Sequence, residues 1–266
     1  MKERETLKKH SSKIERFKEK LNISKEINDD QRQTIEKLVI KYEPIFEYDE
    51  EKNGRIGSVK HNIIIKDDQE PIAQKRYRET TEKTKFISEE VDRLLAADKI
   101  RESWSPWASP VTLAGKKSGK YRFCIDYRKL NAVTKPDAYP LPRIDELLEK
   151  YETAKWFTSL DLSAGYHQIE MEEQDKEKTA FICSKGLFEY NVMPFGLRNA
   201  PGTFQRTMDK ILGEYINKFV VVYIDDIMIY SENFEDHVNH IRKVLQRLYE
   251  TNLICKLKKC ELKLLN

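Results

Sequence analysis

The segment FVVVYIDDIMIY at 219–230 constrains this chain more than any other. Val, Ile and aromatic residues crowd both sides of two adjacent aspartates, Asp225 and Asp226. Such runs favour pleated, buried strands, so the segment reads as two strands flanking a tight acidic turn, with Phe219 to Ile224 as the first. Two carboxylates at one turn repel each other and resist ionisation unless a cation neutralises them. A third acid, Asp161, ends another apolar run, FTSLDL at 157–162, where its flanking leucines would pack into a sheet. Three carboxylates can then meet at one sheet end. An all-oxygen ligand set suits magnesium, with manganese an acceptable substitute, and does not suit a zinc site of nitrogen and sulfur. Two such ions about 4 Å apart would serve an in-line phosphoryl displacement, activating a 3′-hydroxyl and stabilising a pyrophosphate leaving group. The plainer alternative is an acidic hairpin turn and an unrelated strand-end aspartate, and YIDD alone would favour it.

The rest of the chain supplies context for that site. Its 266 residues can bury a substantial core, and a balance of 35% charged to 39% apolar residues excludes a fully disordered chain. A net charge of +3 is too mild to establish nucleic-acid binding, so local basic patches must decide. No segment approaches the ~18 apolar residues of a membrane span, which predicts a soluble protein without a membrane partner. The cysteines (Cys124, Cys183, Cys255, Cys260) form no C-x-x-C pair and read as reduced structural thiols. His237 and His240 with Cys255 and Cys260 offer zinc-type residues, but their spacing matches no knuckle; solvated histidines and buried thiols suffice, and no zinc is expected.

Residues 1–45 carry charged, helix-spaced apolar positions (Leu7, Ile14, Phe17, Leu21, then Ile35, Leu38, Val39, Tyr42), which predict two amphipathic helices and a soft boundary near residue 45. Residues 46–266 form the second region. There, 61–65 reads as a short strand, and 80–97 as a helix capped by Thr81 or Thr84. Strands at 111–113 and 121–125 enclose a basic turn, and further strands fit 157–162, 179–184 and 188–193. Helices fit about 199–215 and 234–250, giving a split β-α-β order. Trp104 and Trp107 read as packing anchors.

Several blocks then occur in a telling order: WSPWASPV, KKSGKYRFCIDYRKLN, LDLSAGYHQI, KTAF, MPFGLRNAPGTFQ and YIDD. In these blocks, covering about His61 to Cys260, the chain resembles the reverse transcriptase region of gypsy-type LTR-retrotransposon Pol polyproteins. The resemblance implies an α+β, right-hand polymerase of fingers and palm, with a split β-α-β palm and little of a thumb. It implies RNA-directed DNA polymerase activity, with Asp161, Asp225 and Asp226 as catalytic residues and ligands of two magnesium ions. The expected partners are a primed RNA or DNA template, deoxyribonucleoside triphosphates and downstream polyprotein domains. Such polyproteins continue into primer grip, thumb, connection and ribonuclease H regions, beyond the point where the likeness stops. The expected setting is the cytoplasm, within virus-like particles, with the nucleus left open. Gly202 is usually alanine in this pattern, a small-for-small change.

The resemblance also points to substrate-handling positions. The basic turn presents Lys116, Lys117, Lys120 and Arg122, of which Arg122, with Lys117 or Lys116, would grip the triphosphate. Tyr166 matches the steric gate against a ribose 2′-hydroxyl, and Phe195 with Gly196 matches the floor of the nucleotide pocket. Asp126 and Arg128 read as a structural or template-side pair. The tail lysines Lys256, Lys258, Lys259 and Lys263 predict salt-sensitive, sequence-independent binding of nucleic acid. The alternative reading is a catalytically inactive relic or domesticated nucleic-acid-binding module; RNA-templated RNA synthesis on a similar palm is disfavoured by Tyr166 and by the block-by-block likeness.

Overall fold

The computed structural model describes residues 12–49, 51–115, 119, 121–140, 154–223 and 226–264. Two compact units divide the chain: Met1–Arg55, Pro140–Gly165 and Gln205–Asn266 form one, Ile56–Tyr139 and Tyr166–Phe204 the other.

Along the chain, α1 (Asp29–Lys41) starts at Asn28, whose side chain accepts from Gln31 N while the Gln31 side chain accepts from Asn28 N. This reciprocal cap satisfies two otherwise orphaned amides. A 3₁₀ turn leads into β1 (Phe46–Glu47), followed by β2 (Ile56–His61), α2 (Thr81–Ala96), β3 (Ile100–Glu102), β4 (Ser109–Gly115), β5 (Tyr121–Ile125) and α3 (Arg128–Val133). Then come β6 (Trp156–Asp161), β7 (Ile169–Met171), β8 (Phe181–Cys183), β9 (Gly186–Tyr190) and α4 (Ala200–Leu212). The last elements are β10 (Val220–Tyr223), β11 (Asp226–Ser231), α5 (Phe234–Glu250), β12 (Cys255–Lys256) and β13 (Glu261–Leu264).

The unit that carries the acidic strands is built on a four-stranded sheet in the order β10-β11-β6-β13. α5 covers it, burying His237, Val238, Ile241, Val244, Leu245 and Leu248, which recur on one helical face. Asn233 caps its start, and Asn252 at φ 55° ends it, with Leu253 N donating to Leu248 O and Asn252 N to Tyr249 O. That left-handed stop consumes the last free carbonyls. Residues of the N-terminal region join the same unit: α1 packs on α5, and β1 pairs in parallel with β12.

In the other unit a five-stranded sheet runs β3-β9-β8-β4-β5, with β2 and β7 pairing separately. α2 buries Ile87, Val91 and Leu94 and stops at Asp98, φ 51°, by the same amide pattern as α5. The β4–β5 hairpin is in register from Val111↔Ile125 to Gly115↔Tyr121.

Four local expectations are corrected. The strand predicted at 61–65 lies earlier, at Ile56–His61, because its partner β7 reaches only from Ile56 to His61. Thr80, not Thr81 or Thr84, caps α2, accepting from Lys83 N. Trp104 is not a packing anchor: it is 91% exposed, whereas Trp107 is buried. His237 is not solvated. It is buried, with Nε2 2.9 Å from Thr158 Oγ1 and Nδ1 2.9 Å from Ser231 Oγ, so helix and sheet are joined by a polar contact in the core.

Burial holds His237 down to about 3 and, in the other unit, His61 down to about 4, from the ordinary 6.5. Both rings stay neutral in the folded chain, while the unfolded chain takes up a proton below pH 6.5. Stability should therefore fall as pH drops through this window, by ~1.4 kcal/mol per pH unit for each such ring. Urea unfolding from pH 7.5 to 4.5 tests this. His237→Gln should be less stable at pH 7.5 yet show a shallower slope, and equal slopes would refute the assignment.

Candidate active site

The acidic site rests on β6 and β11. In their antiparallel register Asp161 lies directly opposite Asp226, and Tyr223 lies opposite Asp226 across the hairpin. Opposed residues of an antiparallel pair have Cα atoms ~4.5–5.5 Å apart and side chains on one face, so the two carboxylates are neighbours. Asp225 falls outside the described residues, as do Lys116, Lys117 and Lys120. The apolar alternation of both strands enforces the arrangement: Leu160, Ile227 and Ile229 are buried, and a slip of one residue would turn them outward.

Partial burial raises the Asp226 carboxyl above its usual range; the Asp161 charge raises it further, and Lys259 opposes this. Lys259 Nζ donates to Asp161 Oδ2 at 2.9 Å. Two acids side by side favour positive charge near them, and Lys259 supplies it here. Among the described residues, which do not include Asp225, no group of three metal-ligating side chains occurs. After Asp161 the chain enters a strained loop, with Ala164 at φ 45°, a conformation unusual for a residue with a side chain. Ser163 ties this loop down: its N donates to Ile254 O at 2.9 Å, and its Oγ donates to Glu47 Oε2 at 2.7 Å.

Tyr166 belongs to the other unit and is buried. Its ring stacks on Phe195, with centroids 5.1 Å apart and planes at 24°, and tilts onto Phe204 at 5.3 Å. Phe195 is 46% exposed and also meets the His167 ring, with centroids 5.1 Å apart. Gly196 has φ 92°, and Asn131 Nδ2 donates to its carbonyl at 2.8 Å while Arg198 N donates to Asn131 Oδ1. Arg122 is an exposed residue of β5, opposite Ala114. The Asp126–Arg128 pair forms as a two-pronged contact of 2.7 and 2.6 Å, joined by Tyr77 Oη donating to Asp126 Oδ2. Arg128, followed by the Tyr77 hydrogen bond, holds the Asp126 carboxyl well below its usual range against the effect of burial.

Sequence reasoning missed two contacts. Lys259 was one of four tail lysines expected to meet phosphate, and Lys256 lies 3.6 Å from Glu47. Glu47, the anchor of Ser163, carries no sequence signal that separates it from its acidic neighbours.

A strand-end acid paired to a hairpin acid, on a sheet backed by a helix, is the frame of a template-directed polymerase palm. The chain belongs to the reverse transcriptase (RNA-dependent DNA polymerase) family, whose model matches residues 114–264. It is 46% identical over 206 residues to the retrovirus-related Pol polyprotein from transposon 297 of Drosophila melanogaster, covering 76% of this chain and 19% of that protein. To the Pol polyprotein from transposon gypsy of the same organism it is 44% identical, covering 70% of this chain and 19% of that one. The chain thus spans about a fifth of the length of these gypsy-type relatives. Among solved structures it superposes on a foamy viral protease-reverse transcriptase in complex with dsDNA, with TM-score 0.80 and 26% identity, covering 92% of this chain and 51% of that one. The fold is that of reverse transcriptase fingers and palm. Reverse transcriptases as a family use magnesium.

A Cβ at Gly196 would meet Ile125 O and Tyr127 Cδ2 only at an ordinary 3.7 Å, so replacement would cost backbone energy rather than space. Gly196→Ala should lower stability by ~1–3 kcal/mol in urea unfolding. A loss below ~0.5 kcal/mol would show that the loop relaxes freely.

Proposed function

We propose that this chain carries the nucleotidyl-transfer centre of an RNA-directed DNA polymerase, with Asp161, Asp225 and Asp226 holding two divalent cations, Mg²⁺ or Mn²⁺. The observation that carries the reading is the direct opposition of Asp161 and Asp226 across β6 and β11, in a chain of the reverse transcriptase family. When bound, the metal ions supply charge neutralisation and Lewis-acid polarisation of the reacting phosphate oxygens.

The chain's own residues have separate tasks in this reading. Asp161 and Asp226 hold negative charge at one place on the sheet, and Asp225 adds to it. Arg122, with Lys116 or Lys117, binds the triphosphate of an incoming deoxyribonucleotide, the arginine through a bidentate fork and the lysine as a point charge. Tyr166 excludes a ribose 2′-hydroxyl. Its packing against Phe195 and Phe204 supports that role, because a ring that cannot swing away imposes a repulsive cost on the wrong sugar. Phe195 offers an apolar edge for base or sugar, and Gly196 permits close approach. A primed RNA or DNA template is the macromolecular substrate; a foamy viral relative in complex with dsDNA supports the nucleic-acid class. The proposed setting is the cytoplasm, within virus-like particles, with the nucleus left open, alongside the other domains of a Pol polyprotein.

Single-nucleotide incorporation on a primed RNA template with Mg²⁺ tests the centre. Asp161→Asn and Asp226→Asn should each abolish incorporation while nucleic-acid binding persists; activity near the parent's in either would refute the metal assignment. Binding without turnover in the parent itself would mark the chain as a nucleic-acid-binding module.

Arg122→Ala should weaken nucleotide affinity about tenfold to a hundredfold, the equivalent of a lost charge-assisted hydrogen bond of ~1.5–3 kcal/mol. Tyr166→Val should raise ribonucleotide use relative to deoxyribonucleotide use. Unchanged sugar discrimination would assign Tyr166 to packing alone.

A further inference from the structure

The tail after α5 is fixed at both ends of a short 3₁₀ turn, Leu257–Lys259. On one side β12 pairs with β1, and Cys255 bridges to Leu162, the residue after Asp161. On the other, β13 runs antiparallel to β6 from Glu261↔Ser159. Leu257 and Cys260 are buried, and Cys260 N donates to Leu257 O at 3.0 Å, closing the turn. With those two residues held inward, the turn delivers the ammonium of Lys259 to Asp161. The partners are unequally held: the Lys259 side chain is 61% exposed and that of Asp161 only 15%. A flexible cationic stem can leave for water at little cost, whereas the strand-bound carboxylate cannot follow it.

Two carboxylates on facing strands need positive charge beside them, and this one comes from the chain itself. We infer that Lys259 is a resident counter-cation of the Asp161–Asp226 pair, occupying Asp161 until a divalent cation displaces it and thereby setting the site's affinity for that cation. The inference rests on the proposed role of Asp161 as a metal ligand. It has two consequences. The cation-free acidic pair is stabilised by an internal ion pair, and every divalent cation that binds must first break it. A monovalent ammonium on a mobile stem cannot match a divalent ion held by several carboxylates, so displacement is favoured yet costs affinity.

Mn²⁺ binding to the chain, without nucleotide or nucleic acid, can be followed by the paramagnetic resonance signal of the free ion. Lys259→Met should bind Mn²⁺ about three- to tenfold more tightly than the parent, the scale of a partly exposed ion pair, and Lys259→Arg should bind like the parent. In EDTA, Lys259→Met should melt lower than the parent, and its Mn²⁺-induced rise in Tm should be larger. The unmutated chain gives an independent readout: the Lys259 ammonium NMR signal, assigned by its loss in Lys259→Arg, should shift as Mg²⁺ is added, over the range that saturates the site. Equal Mn²⁺ affinity in parent and Lys259→Met, with Asp161→Asn abolishing binding, would overturn the counter-cation while leaving the metal site intact. Mn²⁺ binding indifferent to Asp161→Asn, or none at all, would overturn both. An ammonium signal that ignores Mg²⁺ bound at Asp161 would also overturn the displacement.

Discussion

The antiparallel pairing of β6 with β11 is the interaction on which the acidic site depends. β6 is an interior strand, bonded to β11 on one edge and to β13 on the other, so its register is set twice. Because side chains alternate across a strand, the register that buries Leu160 against Ile227 and Ile229 also places Asp161 opposite Asp226. Packing chosen by the hydrophobic effect thereby determines where charge accumulates. The buried contact of Thr158 with His237 adds a directional lock between this strand and α5, since both polar groups would be left unsatisfied by a shift.

Holding like charges together has a cost, and the unit shows how it is offset. Asp226 resists ionisation because it is partly buried and faces Asp161, while Lys259 counters both effects. The loop beyond Asp161 is kept by hydrogen bonds from Ser163 to Ile254 and to Glu47, so a residue from the N-terminal region braces the segment that follows Asp161. Strain at Ala164 is tolerated because its surroundings are over-determined in this way. The tail contributes twice, closing the sheet edge through β13 and delivering a cation through the turn before it.

Rigidity serves a different purpose in the other unit. Tyr166, Phe195 and Phe204 form an aromatic group in which one ring is buried and another offers its edge, and Gly196 allows the backbone a turn that other residues resist. The Tyr77–Asp126–Arg128 cluster sits just after β5 and fixes the chain that follows the Arg122 strand.

The amino-acid sequence alone determined the parts that depend on local pattern. Apolar runs around Asp161 and around Asp225–Asp226 marked strands, and the helix at 234–250 was legible to the residue from its periodicity. Ordered motif blocks disclosed the family, because long matched runs leave little room for coincidence. Other features belong to the tertiary structure. Nothing in CKLKKCELK distinguishes Lys259 from its neighbouring lysines, and only the bracketing by β12 and β13 sends it to Asp161. Burial of His237 and exposure of Trp104 reverse what residue type suggests, since burial is a property of the surface a residue meets and not of the residue itself. Glu47 reaches Ser163 across more than a hundred residues, a distance over which sequence carries no spacing signal and only the pairing of β1 with β12 brings the two together.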